Sequence, residues 1–298
     1  MNKYLLAVSG GPDSMFLLNK YKNENIVVAC VNYNKRSTSF IDVNIVKDFC
    51  KKYDITLYLL EIDPNFEYKG NFQTIAREQR YDFFKNVYDK EKCTQLLVAH
   101  HKDDFIETAQ MQENSKRKPN FYGIAQYSNY KDMNIYRPFL YDFWKDEIID
   151  FLNKENIEFA IDESNDKPYY SRNKVRLNNK KITTTQKQKI FEKFLKTNQK
   201  LTFINEEINN TYRNWQSNGY DCDVLKNIDS TIKNRVVFKF LTEHFENLKL
   251  SSKKIENIVI FIESKNRTSK FLLKNNVYLI KTKNKLYITN KKNAIIYN

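Results

Sequence analysis

Glycine and proline are scarce in this 298-residue chain, at five each. That excludes collagen-like and low-complexity architectures, and it makes each glycine informative about a turn. Cysteine is scarce too: Cys30, Cys50, Cys93 and Cys222 are scattered, with no CxxC pair among them. Neither a disulfide framework nor a zinc site is supported. No apolar run approaches the ~18 residues of a membrane span, and the N-terminus lacks the apolar core of a signal peptide. The expectation is a soluble, cytoplasmic protein with no membrane partner; an oligomer is possible, but nothing in the sequence specifies one.

Acid is missing from one end only. Residues 1–180 carry 27 Lys+Arg against 26 Asp+Glu, whereas residues 181–298 carry 23 against 10. Nearly all of the net charge of +14 therefore lies in the C-terminal third. Such an excess suits a docked polyanion, although a solvated, lysine-rich surface would give the same count. The length fits two domains. Texture changes near residue 180, so the expected division is 1–180 and 181–298.

What is present is organised around Tyr4 to Leu18, YLLAVSGGPDSMFLL. A short apolar run suits a buried strand, Ser9-Gly10-Gly11-Pro12-Asp13-Ser14 a tight turn, and Met15-Phe16-Leu17-Leu18 the opening of a helix. Two glycines leave backbone N–H groups uncovered. Pro12 fits the first helical position, and the helix N-terminus aims its partial positive charge at the turn. Strand, turn and helix together are built to hold phosphate. The turn is neither GxxxxGK[ST] nor GxGxxG.

Further strands are expected at Ile26–Val31, Thr56–Ile62 and Leu96–Ala99. Helices are expected over Ile41–Tyr53, Phe72–Tyr88 and Phe143–Asn153, with another after the His100–Thr108 segment. Their alternation means βαβ units and a parallel sheet, with ligand bound outside the carboxyl ends of the strands. Beyond residue 180, Ile190, Phe191, Phe194, Leu195 and Leu201, then Val236, Val237, Phe240, Leu241 and Phe245, repeat at helical intervals. A helical domain follows, closed by a short β-hairpin between Lys270 and Thr289, with turns at Asn275-Asn276 and Lys283-Asn284. His244, among Phe240, Leu241 and Phe245, reads as a packed histidine.

Directly after the fourth strand stands His100-His101-Lys102-Asp103-Asp104-Phe105-Ile106-Glu107-Thr108. In a helix begun near Asp103, Asp104 and Glu107 share a face. Such carboxylates could hold Mg²⁺ against phosphates, take up a proton, or simply cap the helix. Arg77 and Arg80 share another helical face, and Arg172 and Arg176 are four apart. Guanidinium forks suit phosphates and carboxylates.

SGGPDS matches the SGGxDS pyrophosphate loop of the PP-loop ATP pyrophosphatases, which cleave ATP between the α and β phosphates. The other blocks resemble one branch, the tRNA(Ile)-lysidine synthetases. His100, Asp103, Asp104, Glu107 and Thr108 stand as HxxDDxxET, and Asn71-Phe72-Gln73 with Ala76-Arg77 and Arg80-Tyr81 resembles N-x-Q…AR…RY. Tyr122-Gly123-Ile124-Ala125 resembles the G-L-A element, Arg137-Pro138-Phe139-Leu140 resembles RPLL, and Lys145-Asp146-Glu147-Ile148 the helix that follows. Asp162-Glu163-Ser164-Asn165 matches DxSN, and Arg172-Asn173 with Arg176 matches RNxxR. The blocks fall in order over roughly residues 3–180. There are departures: Arg117-Lys118-Pro119-Asn120 replaces RGSG, and Val31-Asn32-Tyr33-Asn34-Lys35-Arg36 replaces VNHGLR without its histidine. The extra C-terminal domain of longer members is expected to be absent.

The resemblance implies an adenine nucleotide α-hydrolase-like, Rossmann-like parallel-sheet domain and a basic, mainly helical tRNA-binding domain. It implies ATP-dependent ligation of L-lysine to carbon 2 of the wobble cytidine of tRNA(Ile) bearing a CAU anticodon, through an adenylated base, releasing AMP and pyrophosphate. Ser9, Gly10, Gly11, Pro12, Asp13, Ser14, Asn32 and His100 would bind ATP, with Asp13 as the candidate Mg²⁺ ligand. Asp103, Asp104, Glu107 and Arg117 would be catalytic. Arg77, Arg80, Arg137, Asp162, Asn165, Arg172, Asn173 and Arg176 would contact lysine or tRNA. A tRNA thiolase of the same superfamily is the alternative, against which the unpaired cysteines argue. An amide-forming synthetase leaves the basic C-terminal third unexplained. A non-catalytic RNA-binding module leaves the acids beside the intact loop unexplained.

Overall fold

The apolar run that opens the chain becomes a central strand. The computed structural model describes residues 2–35, 38–115, 119–161, 171–245, 250–274, 277–290 and 293–295. In it, β1 (Tyr4–Ala7) lies between β2 (Ile26–Asn32) and β4 (Gln95–Leu97), parallel to both. β3 (Thr56–Glu61) extends the sheet beyond β2, and β6 (Met133–Tyr136) and β5 (Tyr127–Tyr130) extend it beyond β4. The order is β3-β2-β1-β4-β6-β5, with β5 antiparallel to β6. Strand order reverses between β1 and β4, so the loops leaving those two strands flank the crevice where ligands bind in such sheets.

Burial on both faces explains why β2 reads as a continuous apolar run. Ile26, Val28 and Cys30 pack on one side with Phe16 of α1 (Pro12–Tyr21), Val46 of α2 (Ser39–Lys52) and Ile148 of α5 (Lys145–Lys154). Val27 and Ala29 pack on the other with Tyr81 and Phe84 of α3 (Phe72–Lys90). A third cluster joins Phe105 and Ile106 of α4 (Lys102–Asn114) to Trp144, Phe191 and Phe194. Helix α6 (Ser171–Asn179) lies against α4.

The hairpin β5–β6 was not foreseen. Its two-residue turn is Lys131-Asp132, with φ of 50° and 58°, a left-handed pair usually signalled by Asn or Gly. Asp132 tolerates that conformation, but Lys131 carries no turn signal and neither residue is asparagine or glycine.

The chain divides into two units, residues 1–197 and 198–298, the division falling inside the 34-residue helix α7 (Thr184–Ser217). The second unit holds a short 3-10 turn at Cys222–Leu225, α8 (Ser230–His244) and α9 (Ser252–Glu263). It also holds β7 (Ser269–Lys274), β8 (Val277–Thr282), β9 (Lys285–Asn290) and β10 (Asn293–Ile295), an antiparallel sheet in the order β10-β9-β8-β7. Four strands thus stand where a hairpin was expected. The Lys283-Asn284 turn has the left-handed φ pair, 48° and 70°, that a tight hairpin needs; Asn275-Asn276 lies outside the described residues. Trp215, Phe240, Ile258 and Leu279 centre this core. His244 is packed, its Nδ1 2.8 Å from the Phe240 carbonyl and its ring 4.6 Å from the Phe240 ring. Among the described residues no helix is long and apolar enough to cross a membrane.

Candidate active site

The loop after β1 is shaped by its own small residues. Gly10 takes φ +82°, and a Cβ there would lie 2.4 Å from the Asp42 carbonyl oxygen at the start of α2. Only glycine permits both that φ and that approach. Ser14 Oγ donates to the Gly11 carbonyl (2.9 Å) and accepts from the Ser9 amide (3.1 Å), drawing the loop over the first turn of α1. The Gly10 carbonyl accepts from the Ala160 amide at 2.9 Å. Pro12 occupies the first turn of α1, as expected. Asp13, one residue on, points its carboxylate at Lys145 Nζ and at His101 Nε2, the latter 3.5 Å away.

Helix α4 begins at the end of the segment that leaves β4, and its first turns bury three acids: Asp103, Asp104 and Glu107. They divide by helical phase. Asp104 and Glu107 share a face and meet α6: Arg172 donates to Asp104 Oδ1 (2.8 Å) and Glu107 Oε2 (3.1 Å). Arg176 grips both oxygens of Glu107, at 2.9 and 3.1 Å. Asp103 faces elsewhere. It accepts from Lys187 Nζ of α7 at 2.8 Å and from the backbone amide of Lys145, the first residue of α5, at 2.8 Å. A carboxylate on a helix-opening amide is a favourable charge–dipole contact. The N-termini of α1, α4 and α5 therefore converge on the Asp13–His101–Asp103 group.

His101 is the hub. It is 4% exposed, with ring nitrogens 3.4–3.5 Å from carboxylate oxygens of Asp13, Asp103 and Asp104. Burial opposes a charged imidazole, but Asp104, Asp103 and Asp13 outweigh it and raise His101 to about 10. Burial would equally raise the acids. Instead His101, aided by Lys187 at Asp103 and Lys145 at Asp13, holds these carboxyls below their ordinary range, Asp104 at about 2. His100 behaves oppositely. Burial, with Arg137 nearby and against the pull of Asp104, lowers it to about 4, so it is neutral and its Nδ1 accepts from Arg137 Nε at 3.2 Å.

The expected residues are thus only partly brought together. Ser9 to Ser14, His100, Asp103, Asp104, Glu107, Arg172 and Arg176 line one region. Arg137 is buried there but turned inward, donating also to the Ala125 carbonyl (2.8 Å) and Ser128 Oγ (3.0 Å). Asn32 is buried at the end of β2, its Oδ1 accepting from the Asn34 amide at 3.0 Å. Arg77 stacks on Tyr81 and Tyr130 at 4.6 and 5.6 Å, and Arg80 lies 5.9 Å from the Tyr81 ring, both on α3. Arg117, Asp162 and Asn165 lie outside the described residues, as does the side chain of Asn173. Three residues were missed: His101, Lys145 and Lys187. His101 was legible in the His-His pair, and Lys145 in its place at a helix start. Lys187 belongs to no local pattern.

The four cysteines are all free and buried. Burial raises Cys30 and Cys50 to about 12, and Cys93 and Cys222 to about 11. Such thiols are inert. Among the described residues no group of three or more His, Cys, Asp or Glu is arranged to hold a metal.

Known proteins resemble this chain along most of its length. The family model for the PP-loop domain matches residues 1–181. The tRNA(Ile)-lysidine synthase of Mesomycoplasma hyopneumoniae is 40% identical over 284 residues, 95% of each chain. That of Mycoplasmopsis pulmonis is 41% identical over 291 residues, 96% of this chain and 99% of its own. That of Mycoplasma genitalium is 34% identical over 93% of this chain and 94% of its own. Among solved structures, a U34-tRNA thiolase from Methanococcus maripaludis, holding a 4Fe–4S cluster, superposes with a TM-score of 0.52 at 18% identity. That match covers 66% of this chain and 72% of the thiolase. At that identity the likeness speaks to fold alone.

Proposed function

The chain belongs to the PP-loop family and, within it, to the tRNA(Ile)-lysidine synthases, and from that premise we propose how its residues carry out ATP-dependent lysidine formation on tRNA(Ile). The enzyme is a ligase that uses ATP. We take the acceptor to be the wobble cytidine of a CAU anticodon and the donor to be free L-lysine. In the first step the cytosine carbonyl oxygen attacks the α phosphate, forming an adenylated base and releasing pyrophosphate. In the second, the lysine ε-amine attacks carbon 2 and expels AMP.

The leaving pyrophosphate needs compensating positive charge. The loop amides and the α1 N-terminus supply part of it, and the Lys145 ammonium, already at Asp13, supplies more. Around these groups, and among the described residues, the carboxylates of Asp13, Asp103, Asp104 and Glu107 face the cations His101, Lys145, Lys187, Arg172 and Arg176. Mg²⁺ is commonly held by one or two carboxylates plus substrate phosphates. Asp13, a single partly exposed carboxylate beside the loop, fits that pattern. When bound, the ion would add to the neutralisation of phosphate charge.

The incoming lysine is an ammonium ion at neutral pH. Asp104 and Glu107 already hold cations, the guanidiniums of Arg172 and Arg176, and the lysine head would share or displace them. It must then lose a proton. His101 is already protonated, His100 presents a ring nitrogen to Arg137, and Asp104, held at about 2, suits binding the ammonium, which leaves Glu107 as the candidate to take the proton.

That buried pair beside the phosphate loop is the observation that carries the reading. The test incubates the protein with ATP, labelled lysine and CAU-anticodon tRNA. Glu107→Gln should keep tRNA-dependent pyrophosphate release and lower lysidine formation by roughly a hundredfold or more. Equal loss of both would move Glu107 to the adenylation step. No lysine incorporation by the wild type would remove the reading altogether. The basic C-terminal unit is the proposed grip on the tRNA backbone.

A further inference from the structure

The segment between β3 and α3 carries a ring cluster that the reaction leaves unexplained. Phe66 and Tyr68 meet at a centroid distance of 4.9 Å, Tyr68 and Phe72 at 4.6 Å, and Tyr33 and Phe72 at 6.0 Å, all edge to face. The Lys35 ammonium stands over two of these rings, 4.2 Å from Tyr68 and 5.1 Å from Phe72. Phe66 and Phe72 remain 42% and 37% exposed. Large aromatic side chains left at the surface in one group mark a binding surface rather than a core. The Tyr68 hydroxyl is shielded from solvent yet has no hydrogen-bond partner among the described residues, which normally calls for an explanation.

Its place in the fold narrows the partner. Tyr33 and Lys35 follow β2, and Phe66 and Tyr68 follow β3, so the cluster stands at the carboxyl edge of the sheet, the edge from which the phosphate loop leaves β1. It is tied down there: Tyr33 donates its hydroxyl to the Ala76 carbonyl of α3 (2.7 Å), and Asn34 Nδ2 donates to the Ile62 carbonyl (2.7 Å). Rigid aromatic faces interleaved with a cation are the chemistry that holds unpaired bases, the rings taking the base and the ammonium the backbone phosphate.

We propose that the Phe66–Tyr68–Phe72 cluster with Lys35 is a stacking platform for unpaired nucleotides of the RNA, next to the base that enters the active site. This rests on the reading of the substrate as a tRNA modified in its anticodon loop. A base stacking on Phe72 would displace the Lys35 ammonium from that ring toward the backbone phosphate, and the Tyr68 hydroxyl would gain a partner from a base edge or ribose.

The test uses the full-length protein and a synthetic RNA stem-loop carrying a CAU anticodon. Phe72→Leu and Phe66→Leu keep apolar bulk without a flat ring, and both positions are exposed enough to leave folding intact, which circular dichroism checks. Each should weaken stem-loop binding roughly tenfold, while the KM for ATP in pyrophosphate release moves less than twofold. Phe72→Trp should restore affinity, and its fluorescence should be quenched by the stem-loop. Trp144 and Trp215, both buried, contribute little to that change. Unchanged stem-loop affinity in both leucine variants would overturn the proposal. So would quenching by ATP alone, which would make the cluster an adenine site, or quenching with protein concentration and no RNA, which would make it a contact between copies. Wild-type lysidine formation is measured in parallel: its absence would count against the function above, whereas a platform that fails in an enzyme that makes lysidine counts against the platform alone.

Discussion

At Gly10 two constraints coincide, a left-handed φ of +82° and an Asp42 carbonyl 2.4 Å from where a Cβ would sit. Gly10→Ala must therefore shift α2 or the loop, at roughly 2 kcal/mol or more. ATP affinity should fall by at least tenfold and the melting temperature should drop, measurable by nucleotide titration and calorimetry. His101 offers a second residue-level test. Its folded pKa, about 10, lies above the ordinary 6.5, so its contribution to stability is complete below 6.5 and is lost as pH rises through 10. Between those values wild-type stability should decline with the slope of one bound proton. His101→Gln should flatten that decline when urea unfolding is followed from pH 7 to 9.5; an unchanged slope would mean that the ring is not charged in the fold.

Among the elements, α9 ends on a side chain from the sheet. Lys281 of β8 is fully buried and its Nζ donates to the carbonyls of Ile262 (2.9 Å) and Ser264 (2.8 Å). An ammonium at a helix C-terminus satisfies carbonyls that have no intrahelical donor and complements the dipole. Lys281→Met keeps the stem and strands those carbonyls, so unfolding free energy should fall by about 2–4 kcal/mol; a loss under 1 kcal/mol would show water replacing the ammonium. Helices α2 and α5 were legible from their apolar periodicity, because each buries one stripe against the sheet, and α1 from the apolar run after its turn, whose Met15, Phe16, Leu17 and Leu18 are all buried. The β5–β6 hairpin was not, since Lys131-Asp132 is only a weak turn signal and its strands are four residues each. The tail read as a hairpin became four strands, because a lone hairpin has too little face to bury.

For the molecule as a whole, charge is the testable quantity. Lys253, Lys265 and Lys270 are exposed on the C-terminal unit. If that unit grips the RNA backbone, replacing all three with alanine should weaken tRNA binding and lower its salt slope by about 0.7–0.9 per lost phosphate contact, with ATP affinity unchanged. An unaltered slope would place the RNA elsewhere. Legible in the residues alone were the phosphate loop, the parallel α/β core, the acid-bearing helix after β4 and the asymmetry of charge. Each of these is local: a tight turn, a period, a count. Which cation each acid meets is set only by the tertiary fold. One residue of helical phase sends Asp103 to Lys187 and the α5 N-terminus while Asp104 and Glu107 go to Arg172 and Arg176. The fold also decided that two adjacent histidines differ in charge, because His101 lies among three carboxylates and His100 beside a guanidinium. Asp103 and Asp104 are local to His101, but Asp13, which completes its cage, and Arg137, which faces His100, come from elements distant in sequence that no local pattern brings there.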